Sequence, residues 1–275
     1  MNELNNAGPR LSVGVTGWRR DDWRGPVYPS SVQEGEWLAY LADPLGLTTV
    51  ELDETWRREP DPDYFARLME GAPDGPAFVV RLHQDLSARL RDERGDFLRN
   101  QYMIDRFVAS LAPLIDAGRL RLVLASFPAR LAKSDPAVTH LKWLLERLAP
   151  AMPLAMDFGH ESWGSPSTFE LLKAAKVAWV TTDRPLAAGG PPFTVAVTAD
   201  DGVIRLLGRS DRWFGATGAQ RYDYEYPDHE LRQLLEPIRL MRRNAKRVTI
   251  LFGNGGKGAS VANARRLAAM LGADG

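Results

Sequence analysis

Ionisable side chains recur on one face of four short stretches of alternating sequence. The stretches are VELD (50–53), FVVRLH (78–83), LAMDF (154–158) and VIRLLGR (203–209). Such alternation is typical of a β-strand, because its successive side chains point to opposite faces. If the apolar residues face covering helices, Glu51 and Asp53 point inward or lie at the rim, and the other ionisable residues on the inner side are Arg81, His83, Asp157, Arg205 and Arg209.

Charges on the inner face must be paired, because an isolated buried charge costs several kcal/mol. We therefore expect three carboxylates to pair with three arginines: Glu51, Asp53 and Asp157 with Arg81, Arg205 and Arg209. One interpretation is a structural ion network that fixes strand register. The other is an acid–base site, in which Asp53 is the better candidate base because it lies one pleat closer to the following loop than Glu51.

Two histidines, His83 and His160, lie just past predicted strand ends, where a general acid or base is expected. Each could equally be a cap that is hydrogen-bonded to a loop. We expect His140 and His229, which lie in predicted helices, to be solvated. Asp183, in TTDRP after the sixth strand, is either a turn cap or a carboxylate at the rim.

Four tryptophans follow the first, second and fifth predicted strands: Trp18, Trp23, Trp56 and Trp163. They could wall an apolar ligand pocket. They could instead plug the mouth of the fold, since tryptophan is first a large packing residue.

The glycine-rich GNGGKGAS (253–260) joins the eighth strand to the last helix. Backbone amides and a helix N-terminus could form a phosphate site there, with Asn254, Gly255, Gly256 and Lys257 contacting the anion and Arg209 adding charge. The alternative is a flexible connection whose glycines only permit the turn. The spacing is not that of a Walker motif.

Eight apolar runs give the order of elements that must position these residues. They are 11–15, 48–52, 77–82, 120–124, 153–158, 177–181, 203–207 and 248–252. Nearly every run is followed by helical spacing, as in the stripe Ile104, Phe107, Val108, Leu111 and Ile115. Eight strand–helix units predict a parallel (β/α) eight-stranded TIM-type barrel of class α/β, with its site at the C-terminal ends of the strands.

Composition favours one domain at 11–275 after a loose tail at 1–10. The chain has 275 residues, 35 basic and 35 acidic residues and no cysteine, so it offers no disulfide and no net charge that would favour nucleic acid. We find no secretory signal and no apolar run long enough to span a membrane, and we therefore expect a cytoplasmic location. The oligomeric state stays open.

Metal binding is the weakest interpretation of the charged residues. Three carboxylates could hold Mg²⁺ or Mn²⁺, but neighbouring arginines would compete for their oxygens. Two rim histidines without cysteine are too few for a multi-zinc site. We therefore expect no metal and no cofactor.

Four ordered motifs resemble those of the YecE-like family, also known as domain of unknown function seventy-two. They lie in GVTGWRRDDWRGPVYP (14–29), TTVELDETWRREP (48–60), AMDFGHESW (155–163) and GNGGKGASVANARRL (253–267). The matching positions are Gly14, Gly17, Trp18, Trp23, Gly25, Tyr28, Pro29, Val50, Glu51, Thr55, Pro60, Phe158, His160, Ser162, Trp163, Asn254, Gly258, Asn263 and Ala264. The resemblance implies a TIM-type barrel without an agreed activity.

This chain departs from the family pattern at several rim positions. The family's usual Asn and Ser after the second-strand Glu are Asp53 and Glu54 here, and its usual Arg beyond the fifth strand is Gly159. Further departures are Arg81 for Lys, Ser126 for Gln, Asp157 for Glu, Leu207 for His, and Gly253 and Gly255 for Asn and Asp. The resemblance is therefore to the fold and the pocket position more than to the chemistry.

Three hypotheses of different classes remain. The first is an enzyme that acts by acid–base groups on a small anionic (phosphorylated) molecule, with Asp53, His83 and His160 as proton carriers and Arg81 and Arg209 holding charge. The second is a non-catalytic binder of a small molecule. The third is an interaction scaffold whose mouth is plugged by tryptophans.

Overall fold

The computed structural model describes residues 10–185, 189–213 and 218–273. Its strands are β1 Arg10–Thr16, β2 Thr49–Leu52, β3 Ala77–Arg81, β4 Leu120–Phe127, β5 Leu154–Phe158, β6 Ala178–Asp183, β7 Asp201–Leu206 and β8 Arg247–Phe252. All eight predicted runs coincide with strands. The predicted tail at 1–10 falls outside the described residues except for Arg10, which is wrongly placed there because it begins β1 and pairs with Arg247.

The eight strands close into one barrel in sequence order, and every neighbouring pair is parallel. The helices are α1 Trp37–Ala42, α2 Pro62–Glu70, α3 Gln84–Ser87, α4 Gln101–Ser110, α5 Ala112–Asp116, α6 Asp135–Leu148, α7 Pro166–Ala174, α8 Asp228–Asn244 and α9 Ala259–Ala273. The predicted TIM-type (β/α) eight-stranded barrel is confirmed. Among the described helices, none combines the length and apolar character needed to cross a bilayer.

An apolar plug fills the barrel below its C-terminal end. It is formed by Val79, Leu122, Leu124, Ala155, Ala178, Val180, Val203 and Leu251. Two of these, Val79 and Ala155, lie two residues before Arg81 and Asp157 and therefore share their inner face. The plug also identifies the inward-facing residues of β4, β6 and β8, which are Leu122, Leu124, Ala178, Val180 and Leu251. Charged residues that follow on the same strands must therefore lie above a dry core.

The helical stripe predicted over residues 104–115 is wrong at its end. Leu111 and Leu114 are fully buried, whereas the side chain of Ile115 is 44% exposed. The cause is a break in the helix, since α4 ends at Ser110 and α5 begins at Ala112 with a proline in its first turn. The break shifts the angular phase of the buried face.

His140 on α6 is buried and not solvated as the sequence suggested. Its ring stacks against Phe97 at 4.6 Å and lies near Trp143 at 5.6 Å between ring centroids. Phe97 belongs to the long connection between α3 and α4, which folds back over the helix. Helical position alone could not reveal this cover. His229, by contrast, is exposed on α8.

Candidate functional site

Five charged side chains alternate in sign across the C-terminal mouth of the barrel. In order they are Arg81, Glu51, Arg205, Asp157 and Arg184, and we call them the central network. The four side chains other than Arg184 extend inward from β2, β3, β5 and β7. They do so because each lies at an inner position of its strand, directly above the apolar plug.

Arg205 is the centre of this network. Its Nη2 donates to Glu51 Oε1 at 2.7 Å, and its Nη1 donates to Asp157 Oδ2 at 3.0 Å. The remaining carboxylate oxygens accept from hydroxyl groups: Thr16 Oγ1 lies 2.7 Å from Glu51 Oε2, and Thr182 Oγ1 lies 2.9 Å from Asp157 Oδ1. Both carboxylates are therefore fully engaged, which ties β2, β5 and β7 together.

The two arginines at the ends of the network are held less completely. Arg184 Nη2 donates to Asp157 Oδ1 at 2.7 Å. Arg81 Nε lies 3.6 Å from Glu51 Oε1, which is an ion pair but too long for a hydrogen bond. The guanidinium of Arg81 also lies 5.5 Å from the ring centre of Trp56, within range of a cation–π contact.

The pKa shifts of three network residues follow from these contacts. Burial opposes charge on Arg205, yet Glu51 and Asp157 outweigh it and raise the pKa of Arg205. Burial would raise the pKa of Asp157, but Arg184 and Arg205 outweigh it and lower that pKa. Burial and repulsion by Arg205 lower the pKa of Arg81. The charge of Arg81 is thus compensated less well than that of Arg205.

The predicted pairing was correct for part of the set. Glu51 and Asp157 pair with Arg205, and Glu51 also pairs with Arg81. The pairing predicted for Asp53 and Arg209 within this set is wrong. Arg184 was not predicted, although a cation directly after Asp183 at a strand end was a usable signal that does not depend on periodicity.

Asp53 lies outside the network because β2 ends one residue earlier and a 3-10 helix begins at Asp53. Its partner is Arg20, whose Nη2 is 3.5 Å from Asp53 Oδ2, and the Asp53 side chain is 37% exposed. The next residue, Glu54, accepts a hydrogen bond from Tyr64. Burial raises the pKa of Glu54, and the Tyr64 hydroxyl partly offsets this.

Arg209 and Asp183 form a separate cluster on the rim. Arg209 Nε donates to Asp183 Oδ2 at 3.0 Å, and its Nη1 lies 3.4 Å from Glu230. The hydroxyl of Tyr226 donates to Asp183 at 2.6 Å. Asp183 is thus a rim carboxylate. Arg209 left the predicted inner face because β7 ends at Leu206 and Gly208 turns the chain with φ of +87°.

His83 and His160 both cap short helices. His83 Nδ1 accepts from the backbone N–H of Asp85 at 3.3 Å, and His160 Nδ1 accepts from that of Ser162 at 3.2 Å. His83 is buried, whereas His160 is half-buried. This use of Nδ1 leaves any proton exchange to Nε2 alone.

The tryptophans suggested as pocket walls contribute mainly to packing. Trp18, Trp23 and Trp163 are at most 3% exposed. Trp163 stacks on Phe158 at 4.7 Å and donates its indole N–H to Leu131 O at 2.8 Å. Trp56 is the exception, because it is half-buried and faces Arg81.

In the glycine-rich loop, protein groups accept from the amides that were expected to receive a phosphate. The amide of Lys257 donates to Asp22 Oδ2 at 2.8 Å, and that of Gly255 donates to Tyr222 O at 2.6 Å. Asn254 is fully buried and donates to Asn263 at 2.8 Å. A Cβ on Gly256 would lie 2.6 Å from Asp223 Oδ1, so two carboxylates already approach this loop. An anion would have to displace Asp22.

Within residues 10–185, 189–213 and 218–273, no three His, Cys, Asp or Glu side chains are grouped as metal ligands. The arrangement at the mouth is one of ion pairs between carboxylates and guanidinium groups. Chemically, it can bind an anion through its arginines and exchange a proton through Asp53 or a histidine Nε2.

A closed parallel barrel with its charged residues at the C-terminal strand ends defines a TIM-barrel protein. The family described as "Protein of unknown function DUF72" matches residues 12–275, so the chain belongs to the DUF72 family, of which YecE-like is another name. The resemblance inferred from the four motifs is thereby confirmed.

Relatives of this chain agree in fold. A DUF72 family protein of Thermotoga maritima is 32% identical with a TM-score of 0.87, over 96% of this chain and 99% of that one. The UPF0759 protein YunF of Bacillus subtilis is 26% identical over 95% of this chain and 94% of its own length. A DUF72 family protein of Enterococcus faecalis, 22% identical with a TM-score of 0.77 over 96% of this chain and 98% of that one, supports the fold alone.

Proposed function

We propose that the barrel mouth binds a small organic anion through Arg81 and Arg184. The observation that carries this proposal is the charge balance of the central network, in which three guanidinium groups face two carboxylates. A surplus positive charge above a dry core is costly, and a bound anion would compensate it.

Unsatisfied donors support the same conclusion. Arg81 Nε, Arg184 Nε and Ser126 Oγ are buried and have no hydrogen-bond partner in the described part of the chain. Ser126 on β4 pairs in register with Asp157 on β5, so it lies beside the network. Buried donors without acceptors cost free energy, and carboxylate or phosphate oxygens are the acceptors that arginine prefers.

Asp53 is the candidate acid–base group for a reaction on this anion. Glu51 and Asp157 are poorly suited to proton transfer, because Arg205 holds both and their oxygens already accept hydrogen bonds. Asp53 has one distant partner and an exposed edge. The reaction class would be proton transfer by a carboxylate, with a histidine Nε2 as the second group.

A binding protein without catalysis is the second candidate. It is favoured because both rim histidines serve as caps and both inner carboxylates, Glu51 and Asp157, are held in ion pairs. Such a protein would share the anion site and lack only the proton transfer at Asp53.

Calorimetric titration with sugar phosphates and small dicarboxylates tests the proposal. We expect Arg81→Gln and Arg184→Gln each to weaken binding of any ligand found by about tenfold, since each removes a charge-assisted hydrogen bond. Arg247→Gln, at the opposite end of the barrel, is the matched control and should leave affinity unchanged. Wild-type affinity in both mouth variants would refute the site.

A ligand found in this titration also distinguishes an enzyme from a binding protein without catalysis. If the protein is an enzyme, Asp53→Asn should retain binding and lose turnover by about a hundredfold or more. Ligand that is bound and recovered unchanged by the wild-type protein would establish the binding function.

A further inference from the structure

A cavity of about 920 Å³ lies beside the mouth, between the connection that follows β3 and the loop that follows β4. Both segments follow C-terminal strand ends, so the cavity opens on the same face as the central network. None of the five network residues lines it. Its volume lies in the range of small-molecule sites, roughly 300–1,000 Å³. We call it the arginine cleft.

Four arginines line this cleft against one carboxylate: Arg89, Arg91, Arg99 and Arg130 against Asp85. Asp85 Oδ1 lies 3.6 Å from Arg89, which accounts for one of the positive charges. The other three charges have no carboxylate within ion-pair distance among the described residues. The chain as a whole carries no net charge, so the excess of positive charge is specific to the cleft and does not reflect the overall composition.

Two of these arginines are held in place by neutral groups. Arg130 Nη2 donates to the carbonyl of Ala88 at 2.7 Å. Arg91 donates to the carbonyl of Gly95 and lies 3.9 Å over the ring of Phe97. A carbonyl or a ring orients a guanidinium without cancelling its full charge, so the side chains are preorganised and remain able to bind an anion.

Apolar side chains form the rest of the wall. Leu90 and Leu131 are buried, whereas Leu98 is 41% exposed, which is unusual for a large apolar side chain of this protein. The cleft therefore offers apolar surface and positive charge together. Inorganic anions would use only the charge, and neutral apolar molecules would leave the arginines uncompensated.

We infer that the arginine cleft binds a small organic molecule that joins an apolar body to phosphate or carboxylate groups carrying two or more negative charges. This site is independent of the anion site at the mouth, since the two share no residue. Asp85, which lines the cleft, has its Oδ2 3.7 Å from Nδ1 of His83, just past the end of β3.

Calorimetric titration with naphthyl phosphate, a naphthalene dicarboxylate and neutral naphthol tests this inference. We expect one or both of the anionic probes to bind, and comparison of the two distinguishes a phosphate from a carboxylate ligand. Naphthol should bind at least tenfold more weakly. Failure of both anionic probes to bind, or equal binding of naphthol, would overturn the inference.

Substitutions of the lining arginines test whether the probes bind in the arginine cleft. Arg99→Ala and Arg130→Ala should each weaken the better probe by about tenfold. Arg265→Ala, on an exposed position of α9, is the matched control and should bind as the wild type does. Arg184→Gln should also leave probe affinity unchanged, which separates this site from the mouth. Denaturation midpoints of all variants verify that they fold. Wild-type affinity of folded Arg99→Ala and Arg130→Ala would refute the cleft as the binding site.

Discussion

Arg205 satisfies two carboxylates that approach it from different strands of the barrel. Its Nε and Nη2 contact Glu51 and its Nη1 contacts Asp157, so one planar cation fixes the positions of both. A lysine could not do this, because its ammonium group lacks the fork of donors. Burying these charges costs free energy that is recovered only while every partner is present.

Asp157→Asn should therefore destabilise the protein by about 3 kcal/mol, because it leaves Arg184 and Arg205 without their shared carboxylate. The matched control is Asp116→Asn at the exposed end of α5, which should cost well under about 1 kcal/mol. Equilibrium denaturation measures both. Equal midpoints for Asp157→Asn and the wild type would contradict a structural role for the network.

His140 should make stability depend on pH. Burial, with Arg99 and Arg91, lowers the pKa of His140 to about 4, while an unfolded histidine titrates near about 6.5. As pH falls from about 6.5 to about 4, the unfolded chain binds a proton that the folded protein does not, so stability decreases. Between about pH 7 and about pH 5 the loss attributable to His140 should be roughly 2 kcal/mol.

His140→Phe should remove this part of the pH dependence, since phenylalanine can stack on Phe97 without titrating. The free energy of unfolding, measured at about pH 7 and about pH 5, gives the slope for each variant. His229→Gln, at an exposed position, should retain the slope of the wild type. A slope in His140→Phe equal to that of the wild type would show that other groups cause it.

Strand alternation predicted the direction of side chains correctly within the strands and failed beyond them. Glu51, Arg81, Asp157 and Arg205 lie inside their strands and point inward. His83 and Arg209, which were predicted to lie inward, follow strand ends, where the backbone no longer alternates. Asp53, which was predicted to lie inward or at the rim, also follows a strand end. Arg184 was missed for the same reason, because a loop residue carries no periodic signal.

At the scale of elements, the loop after β4 restricts which residue can occupy the first position after β5, which is Gly159. Gly159 donates its amide to Phe127 O at 2.9 Å, and a Cβ at this position would lie 2.6 Å from Ala129 N. No side chain fits at Gly159 without moving the backbone. Arg184 reaches the same segment from the end of β6 and also donates to Phe158 O at 3.3 Å.

Gly159→Ala should destabilise the protein by about 1–3 kcal/mol, because the methyl group collides with backbone atoms that cannot rotate away. Gly272→Ala is the control, since this position lies in α9 with open space around its Cβ. Alanine should stabilise there by up to about 1 kcal/mol. Thermal and chemical denaturation compare the two. Unchanged stability in Gly159→Ala would mean that the loop after β4 adjusts freely.

The order of the strands and helices was predictable, whereas the exact set of residues that each helix buries was not. Eight apolar runs sufficed for the barrel, because parallel strands need covering helices and eight such units close. The break before α5 and the cover over His140 depend on tertiary packing of the connection at 88–100. Local spacing does not contain that information.

At the scale of the whole molecule, charge is divided between the two ends of the barrel. At the N-terminal end, Asp201 accepts from Arg247 Nη2 at 2.7 Å and pairs with Arg121 Nη1 at 2.8 Å. At the other end lie the central network and the arginine cleft. Charged clusters thus lie at both ends of the apolar plug, which suits the usual division of a TIM barrel into a stabilising base and a ligand-binding mouth.

Arg205 also bears on how long the folded barrel persists. Glu51 and Arg205 are 154 residues apart in the sequence, so their contact forms only after most of the chain between them is ordered. Interactions that are absent from the folding transition state act mainly on the rate of unfolding. We therefore expect the network to form late in folding and to slow the unfolding of the barrel. An anion bound at the mouth would slow unfolding further. Resistance to proteolysis, measured over hours, would then increase with the occupancy of the site.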